Sequence, residues 1–211
     1  MTDAAPAPTP ARSVVVFDLG GVLLDWNPRH LYRKLFAGDE AAMERFLTEV
    51  CSGEWNAQQD AGRPFADALA ALMPRHAAQR PLIEAWRDRF GEMIPGALDE
   101  TVAIAAELKS RGVPLYALTN WSHETFPAQA QRFECLSWFD GIVVSGVERV
   151  MKPDRRIFEI LLERYAIDPA TAVFIDDNPV NAQAAAAVGM HGIHFQSAEG
   201  LRRELQALRL L

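Results

Sequence analysis

Long apolar runs are absent: nowhere do 18 or more apolar residues follow one another, roughly the minimum for a membrane-spanning helix, so a membrane is not expected as a partner. Cysteine is scarce. Cys51 and Cys135 are too few and too far apart for a disulfide framework or a zinc cluster, which fits a reducing compartment and a cytoplasmic location. Positive charge is the minority sign, with 21 Lys and Arg against 28 Asp and Glu, a formal charge of −7. No dense basic run offers a track for a phosphate backbone, so nucleic acid is not expected either. The opening MTDAAPAPTPARS lacks the apolar stretch of a secretory signal, and residues 1–12 read as a flexible tail rich in Ala, Pro and Thr. Internal repeats are missing.

What is present is an ordinary globular balance, 49% hydrophobic and 23% charged over 211 residues, enough for one large domain or a domain with an insert. SVVVFD is a β-branched run ending in an acid, which predicts a buried parallel strand over Val14–Phe17 opening into the GG turn. From 27 to 91 the pattern is helical, with stretches over 30–36, 39–50, 65–73 and 81–90 broken at Gly38, Ser52-Gly53, Gly62 and Pro74, and no strand. Alternation then returns. Helices over 100–110, 123–133, 154–165, 179–188 and 198–208 interleave with strands over 113–119, 141–145, 172–175 and 191–195. The expected fold is α/β: a doubly wound parallel sheet with helices on both faces, built from 13–26 and 92–211, and a helical insert over 27–91 standing above it.

In an open parallel sheet the ligand site lies beyond the carboxyl ends of the strands. Those ends hold Asp18, Thr119-Asn120, Ser145 shortly before Lys152-Pro153, and Asp176-Asp177. A carboxylate, a small hydroxyl, a lysine and an acidic pair at one edge suit attack on a phosphate ester. Asp18 can act as nucleophile through an acyl-phosphate, splitting one hard displacement into two easier ones. Asp18, Asp176 and Asp177 supply hard oxygen ligands for Mg²⁺ shared with substrate phosphate. Thr119 and the backbone N–H groups after it can donate to phosphoryl oxygens, and Lys152 can neutralise developing charge and hold Asp18 ionised.

FDLGGVLLD, LTN, MKPDRRIFE and FIDDNPVNAQAAAAVGM, in that order at successive predicted strand ends, resemble the four motifs of the haloacid dehalogenase (HAD) superfamily. The resemblance implies a Rossmann-like core with a small helical cap between the first two motifs. It puts the nucleophile at Asp18, the phosphate-binding hydroxyl at Thr119, the lysine at Lys152 and metal-binding acids at Asp176 and Asp177. A further metal contact falls on the Gly20 carbonyl, and substrate contacts fall on Gly21, Asn120 and Lys152. The opening also resembles the glucose-1-phosphate phosphatase branch.

One departure stands out. Phosphatases of this kind usually have a second aspartate two residues after the nucleophile, serving as general acid and base, and here that position is Gly20. Such help is typically worth about 10²–10⁴-fold, so its loss favours a leaving group that needs little protonation, such as a sugar 1-phosphate. Asp25, His30 and His123 are loose candidates for the donor. The expected activity is a Mg²⁺-dependent phosphatase acting on a small phosphorylated metabolite. A metal-free 2-haloacid dehalogenase, whose halide leaves without a proton, and a non-catalytic phosphometabolite-binding protein are the competing readings. A monomer and a homodimer are both compatible with the sequence.

Plainer roles stand beside the sharp ones. Asn178 reads as the cap of the helix after Asp177, and Ser122 as a cap of the helix after Thr119. Asn181 either bonds to the Lys152 loop or faces water. Trp26, Arg29, Trp55, Arg63 and Trp86 suggest a binding wall in the insert, but helical blocks need aromatics for their own cores, and the core reading is preferred for each Trp. His76, His191 and His194 lack metal-ligand spacing and read as structural.

Overall fold

The computed structural model describes residues 12–211, so the expected tail lies outside the described residues except for Arg12. β1 (Val14–Phe17) opens the chain, followed by five helices: α1 (Arg29–Leu35), α2 (Glu40–Glu49), α3 (Gly53–Asp60), α4 (Phe65–His76) and α5 (Arg80–Asp88). The alternating part comprises α6 (Asp99–Ser110), β2 (Leu115–Thr119), α7 (Phe126–Arg132), β3 (Gly141–Val144) and the one-turn α8 (Ser145–Glu148). It closes with α9 (Arg155–Arg164), β4 (Ala172–Asp176), α10 (Pro179–Ala187), β5 (His191–His194) and α11 (Ala198–Ala207). Among the described residues no helix is long and apolar enough to cross a membrane.

All strand pairs are parallel and the order is β3-β2-β1-β4-β5. β1 is therefore central, and the chain winds outward from it first to one side and then to the other. That reversal opens a crevice beyond the carboxyl ends of β1, β2 and β4. Register sets the level of each end: Phe17 is paired with Ala117 on one side and Ile175 on the other, so Asp18, Leu118 and Asp176 follow at one height. The pleat sends Val15, Phe17, Ala117 and Ile175 into a core shared with α6 and α11, and Val16, Leu118, Val143 and Phe174 into a second core under α9 and α10. Helices thus cover both faces, as expected.

The insert is joined to the sheet by two stems lying side by side. Asp25 N–H donates to Gly96 O at 3.0 Å, Leu98 N–H to Leu23 O at 2.8 Å and Asn27 N–H to Met93 O at 2.9 Å. Its interior is aromatic: Tyr32 lies tilted against Phe46 (5.0 Å between ring centres) and Trp55 meets Trp86 edge-on at 5.5 Å.

The structure adds one helix to the expected insert and corrects two helix bounds. The break at Ser52-Gly53 does separate two helices, but the second, α3, is not among those expected: the Ser52 side chain accepts the Trp55 N–H at 3.1 Å and caps it. Pro74 does not stop α4, which runs on to His76; a proline this close to the end removes one hydrogen bond from the last turns and leaves the rest intact. The helix expected from 123 begins at Phe126, the turn before it being held by Ser122 Oγ accepting the Glu124 N–H at 3.2 Å.

Candidate active site

A cavity of about 490 Å³ lies over the carboxyl edge of the sheet, floored by Asp18, Thr119, Asn120 and Asp177 and walled by Trp26, Arg29 and Phe90 from the insert side. Lys152 is its buried centre of charge, 1% exposed. Its Nζ lies 3.0 Å from Asp18 Oδ1 and 2.7 Å from Asp176 Oδ2, and donates to Leu118 O at 2.8 Å. The loop that delivers it is clamped by Asn120, whose Nδ2 donates to Lys152 O at 2.9 Å and whose Oδ1 accepts the Lys152 N–H at 2.8 Å. Asn120 therefore fastens the second strand end to the lysine.

Asp18 Oδ1 also accepts the Leu19 N–H at 2.7 Å. With Lys152 on the same oxygen, Oδ2 is left without a hydrogen bond among the described residues. Burial pushes the Asp18 carboxyl up to about 7, against the pull of Lys152 and with the added push of Asp176. Burial and then Asp176 also raise Asp177. Oxygens of Asp18, Asp176 and Asp177 lie within 4.8 Å of one another. Three carboxylates share one lysine here, so the cluster is short of positive charge, and its all-oxygen donor set suits a hard divalent cation. Asp176 is the most engaged of the three: its oxygens accept from Asn178 N–H (2.8 Å), Lys152 and both ways from Asn181 Nδ2 (3.1 and 3.2 Å). The freer oxygens belong to Asp18 and Asp177.

Asn181 thus faces neither the Lys152 loop nor water but Asp176, and its Oδ1 is buried without a partner. Asn178 caps α10 as expected, accepting the Val180 N–H at 3.0 Å. Gly20 lines the cavity with no carboxyl. Gly21 has φ +73°, and its N–H donates to Leu24 O at 2.9 Å. A Cβ on Gly21 would stand 2.4 Å from Asp177 Oδ2, so its contribution to the cavity is clearance beside that carboxylate.

Of the insert residues, Trp55 and Trp86 are core, 6% and 2% exposed, while Trp26 is 36% exposed and borders the cavity with Arg29. Arg63 is tied within the insert, donating to Gln59 Oε1 at 2.7 Å. Among the histidines, His194 Nε2 sits 3.1 Å from Asp177 O and His76 Nδ1 3.0 Å from Gln79 Oε1. Sequence reasoning missed Asp60 and Asn56, which also line the cavity from α3. The available signal was an acid just before Gly62, at a helix end where the dipole disfavours negative charge.

A family model described as haloacid dehalogenase-like hydrolase matches residues 13–189. A sesquiterpene phosphatase from Aspergillus oryzae is 29% identical over 194 residues, covering 92% of this chain and 94% of that one. A phosphorylated carbohydrates phosphatase from Thermotoga maritima is 23% identical over 186 residues, covering 85% and 83%. Among solved structures, a HAD family enzyme from Bacteroides thetaiotaomicron in complex with magnesium and inorganic phosphate superposes with a TM-score of 0.66 at 21% identity, covering 88% of this chain and 94% of that one.

Proposed function

Because this chain belongs to the haloacid dehalogenase-like hydrolase family, we propose that it is a phosphatase that cleaves a small phosphorylated metabolite through a phospho-aspartate on Asp18. The observation that carries this reading is the division of labour on the Asp18 carboxyl. Leu19 N–H and Lys152 hold Oδ1 and aim the group, and Oδ2 remains open. In the first step Oδ2 bonds to phosphorus and the ester oxygen departs; in the second, water attacks the same phosphorus and Asp18 is released. Thr119 and the backbone after it bind phosphoryl oxygens, and Lys152 balances the charge that accumulates on them. Asp18, Asp177 and the Gly20 carbonyl, with Asp176 behind them, would hold Mg²⁺, which supplies charge neutralisation to the transferring phosphoryl group. Residues 27–91 form the cap domain on a core of 13–26 and 92–211, shielding the crevice from bulk water.

For the leaving group, Gly20 favours an ester whose oxygen departs readily, and a sugar 1-phosphate, as in the glucose-1-phosphate branch, is the first class to assay. The carbohydrate phosphatase among the relatives supports a sugar ester, whereas the sesquiterpene phosphatase and the aromatic wall of Trp26 and Phe90 support an apolar one. A metal-free dehalogenase fits less well, since Asp177 beside the nucleophile would repel an anionic haloacid. Phosphate release from a panel of esters, with and without EDTA, for the wild type and Asp18→Asn tests the mechanism. The wild type is expected to be active and EDTA-sensitive and the variant inactive; phosphate release surviving Asp18→Asn would sink it.

A further inference from the structure

Gly20 leaves the Asp18 segment without a proton donor, and none of the loose candidates reaches the cavity. Asp25 and His30 face one another across 3.1 Å, and His123 Nδ1 is buried without a partner. The cavity does have a fourth carboxyl. Asp60 lines it with Asp18 but comes from the opposite side, as the last residue of α3.

Asp60 is held as a placed group is held. Asn56 Nδ2 donates to its Oδ2 at 2.8 Å, and Asn56 Oδ1 in turn accepts from Trp86 Nε1 at 3.0 Å, so the amide's orientation is set by the insert core. Ser145 Oγ donates to the Asp60 carbonyl at 2.5 Å while accepting the Trp121 N–H at 2.9 Å. That bridge ties the end of α3 to the loop that follows Thr119. Close approach of the two parts is enforced next door: a Cβ on Gly62 would stand 2.9 Å from Arg149 Cγ and 3.0 Å from Gly146 O. The insert touches the sheet edge at the residue that presents the carboxyl.

Resting on the phosphatase reading, we propose that Asp60 is the proton donor and acceptor that position 20 lacks. As Asp18 Oδ2 bonds to phosphorus, the ester P–O bond breaks with its electron pair on the departing oxygen, and that oxygen takes the proton of Asp60. Water then attacks phosphorus and gives a proton to the Asp60 carboxylate, while the pair of the Asp18–phosphorus bond returns to Asp18. Phosphate departs and Asp60 is protonated again. The site moves the carboxyl toward the protonation state required at the start: burial pushes it up to about 7, the Ser122 amide works against that, and the Asp18 charge adds to it. With the proton supplied from the insert, esters with more basic leaving oxygens join the sugar 1-phosphates as substrates within reach of the site.

The test is a leaving-group series, 4-nitrophenyl, phenyl and benzyl phosphate, on the wild type, Asp60→Asn and Asp60→Ala at saturating Mg²⁺. Loss in kcat/KM should grow as the leaving oxygen becomes more basic, reaching about 10²–10⁴-fold on benzyl phosphate and shrinking toward 4-nitrophenyl. Formate added to Asp60→Ala should restore part of the benzyl activity. A loss of equal size on all three esters, with no response to formate, would make Asp60 a structural anchor and overturn the assignment while leaving the phosphatase reading intact. A wild type inert on every ester would overturn that reading and this one together.

Discussion

The sheet edge and the helical insert both face the cavity, but they are built differently. At the edge the polar groups are delivered by strand register and locked to one another. Lys152 joins Asp18 to Asp176, Asn181 doubles the hold on Asp176, and Asn120 fixes the loop of Lys152. In the insert the groups facing the cavity come from α3, the start of α1 and a stem, and behind them stands an aromatic core of Tyr32, Phe46, Trp55 and Trp86 joined to them by one polar link, Trp86 Nε1 to Asn56. Charge is concentrated in one cluster at the edge, whereas in the insert the partly buried Asp60 and the solvent-exposed Arg29 stand apart. The edge is therefore fitted to chemistry common to many substrates, and the insert to the selection of one and, through Asp60, to handling its leaving group.

The edge is disrupted most severely at Lys152. Replacing it by Met leaves Asp18 and Asp176 buried without their cation, a loss of the kind that costs about 3–5 kcal/mol. Urea unfolding should register that drop, and phosphate release should collapse with it. Mg²⁺ should recover part of the stability of the variant and none of the missing lysine's contacts. A variant as stable as the wild type would mean that the edge is not an electrostatic unit.

The next effect is read by pH, with a variant that isolates the insert's carboxyl from Asp18, which burial raises to the same range. Asp60 rises from the ordinary 3.8 to about 7 in the fold, so its contribution to stability is complete below about pH 4 and is lost as pH climbs through 7. The wild type, measured against Asp60→Asn, should lose stability between these limits with a slope of at most about 1.4 kcal/mol per pH unit. Parallel stability–pH curves for the two proteins would remove the protonated carboxyl from the site.

These contrasts also account for what was legible in the sequence. Asp18, Thr119, Lys152, Asp176 and Asp177 could be grouped in advance because parallel strands bring their carboxyl ends to one edge whatever the details of helix packing. Val14–Phe17 was bounded correctly because a four-residue β-branched run between a tail and a GG turn has few other readings. Asp60 was not legible. Its place depends on a helix, α3, that resumes at once after the break at Ser52-Gly53 under a cap by Ser52, and on a tertiary bridge from Ser145. Asn181 illustrates the same limit inside the core: its position one turn into α10 was visible, while its choice of Asp176 depended on a buried carboxylate needing more donors.

A smaller effect is expected at Gly21, where the edge meets the stem of the insert. Alanine there must adopt φ +73° and displace the Asp177 carboxylate, whose Oδ2 would lie 2.4 Å from the new Cβ. The strain should cost about 1–3 kcal/mol in thermal or urea unfolding. The functional mark should be larger than the structural one, as a raised Mg²⁺ requirement for phosphate release, because the group displaced is one of the two freer carboxylates. An unchanged Mg²⁺ titration would remove Asp177 from the metal-binding set.

The smallest effect tests the insert's own charges. Arg29 borders the cavity and is paired bidentately with Glu44 at 2.6 and 2.7 Å, with both side chains about two-fifths exposed, 41% and 42%. Solvent screening and side-chain entropy limit such a pair to about 0–1 kcal/mol, so Arg29→Gln should leave the unfolding midpoint nearly in place. If Arg29 nonetheless steers an anionic substrate, KM should rise in the variant at low salt with kcat preserved, and the difference should fade as added salt screens the approach. A drop in kcat would instead place Arg29 on the transferring phosphoryl group, and the division between an edge that does chemistry and an insert that selects would have to be redrawn around it.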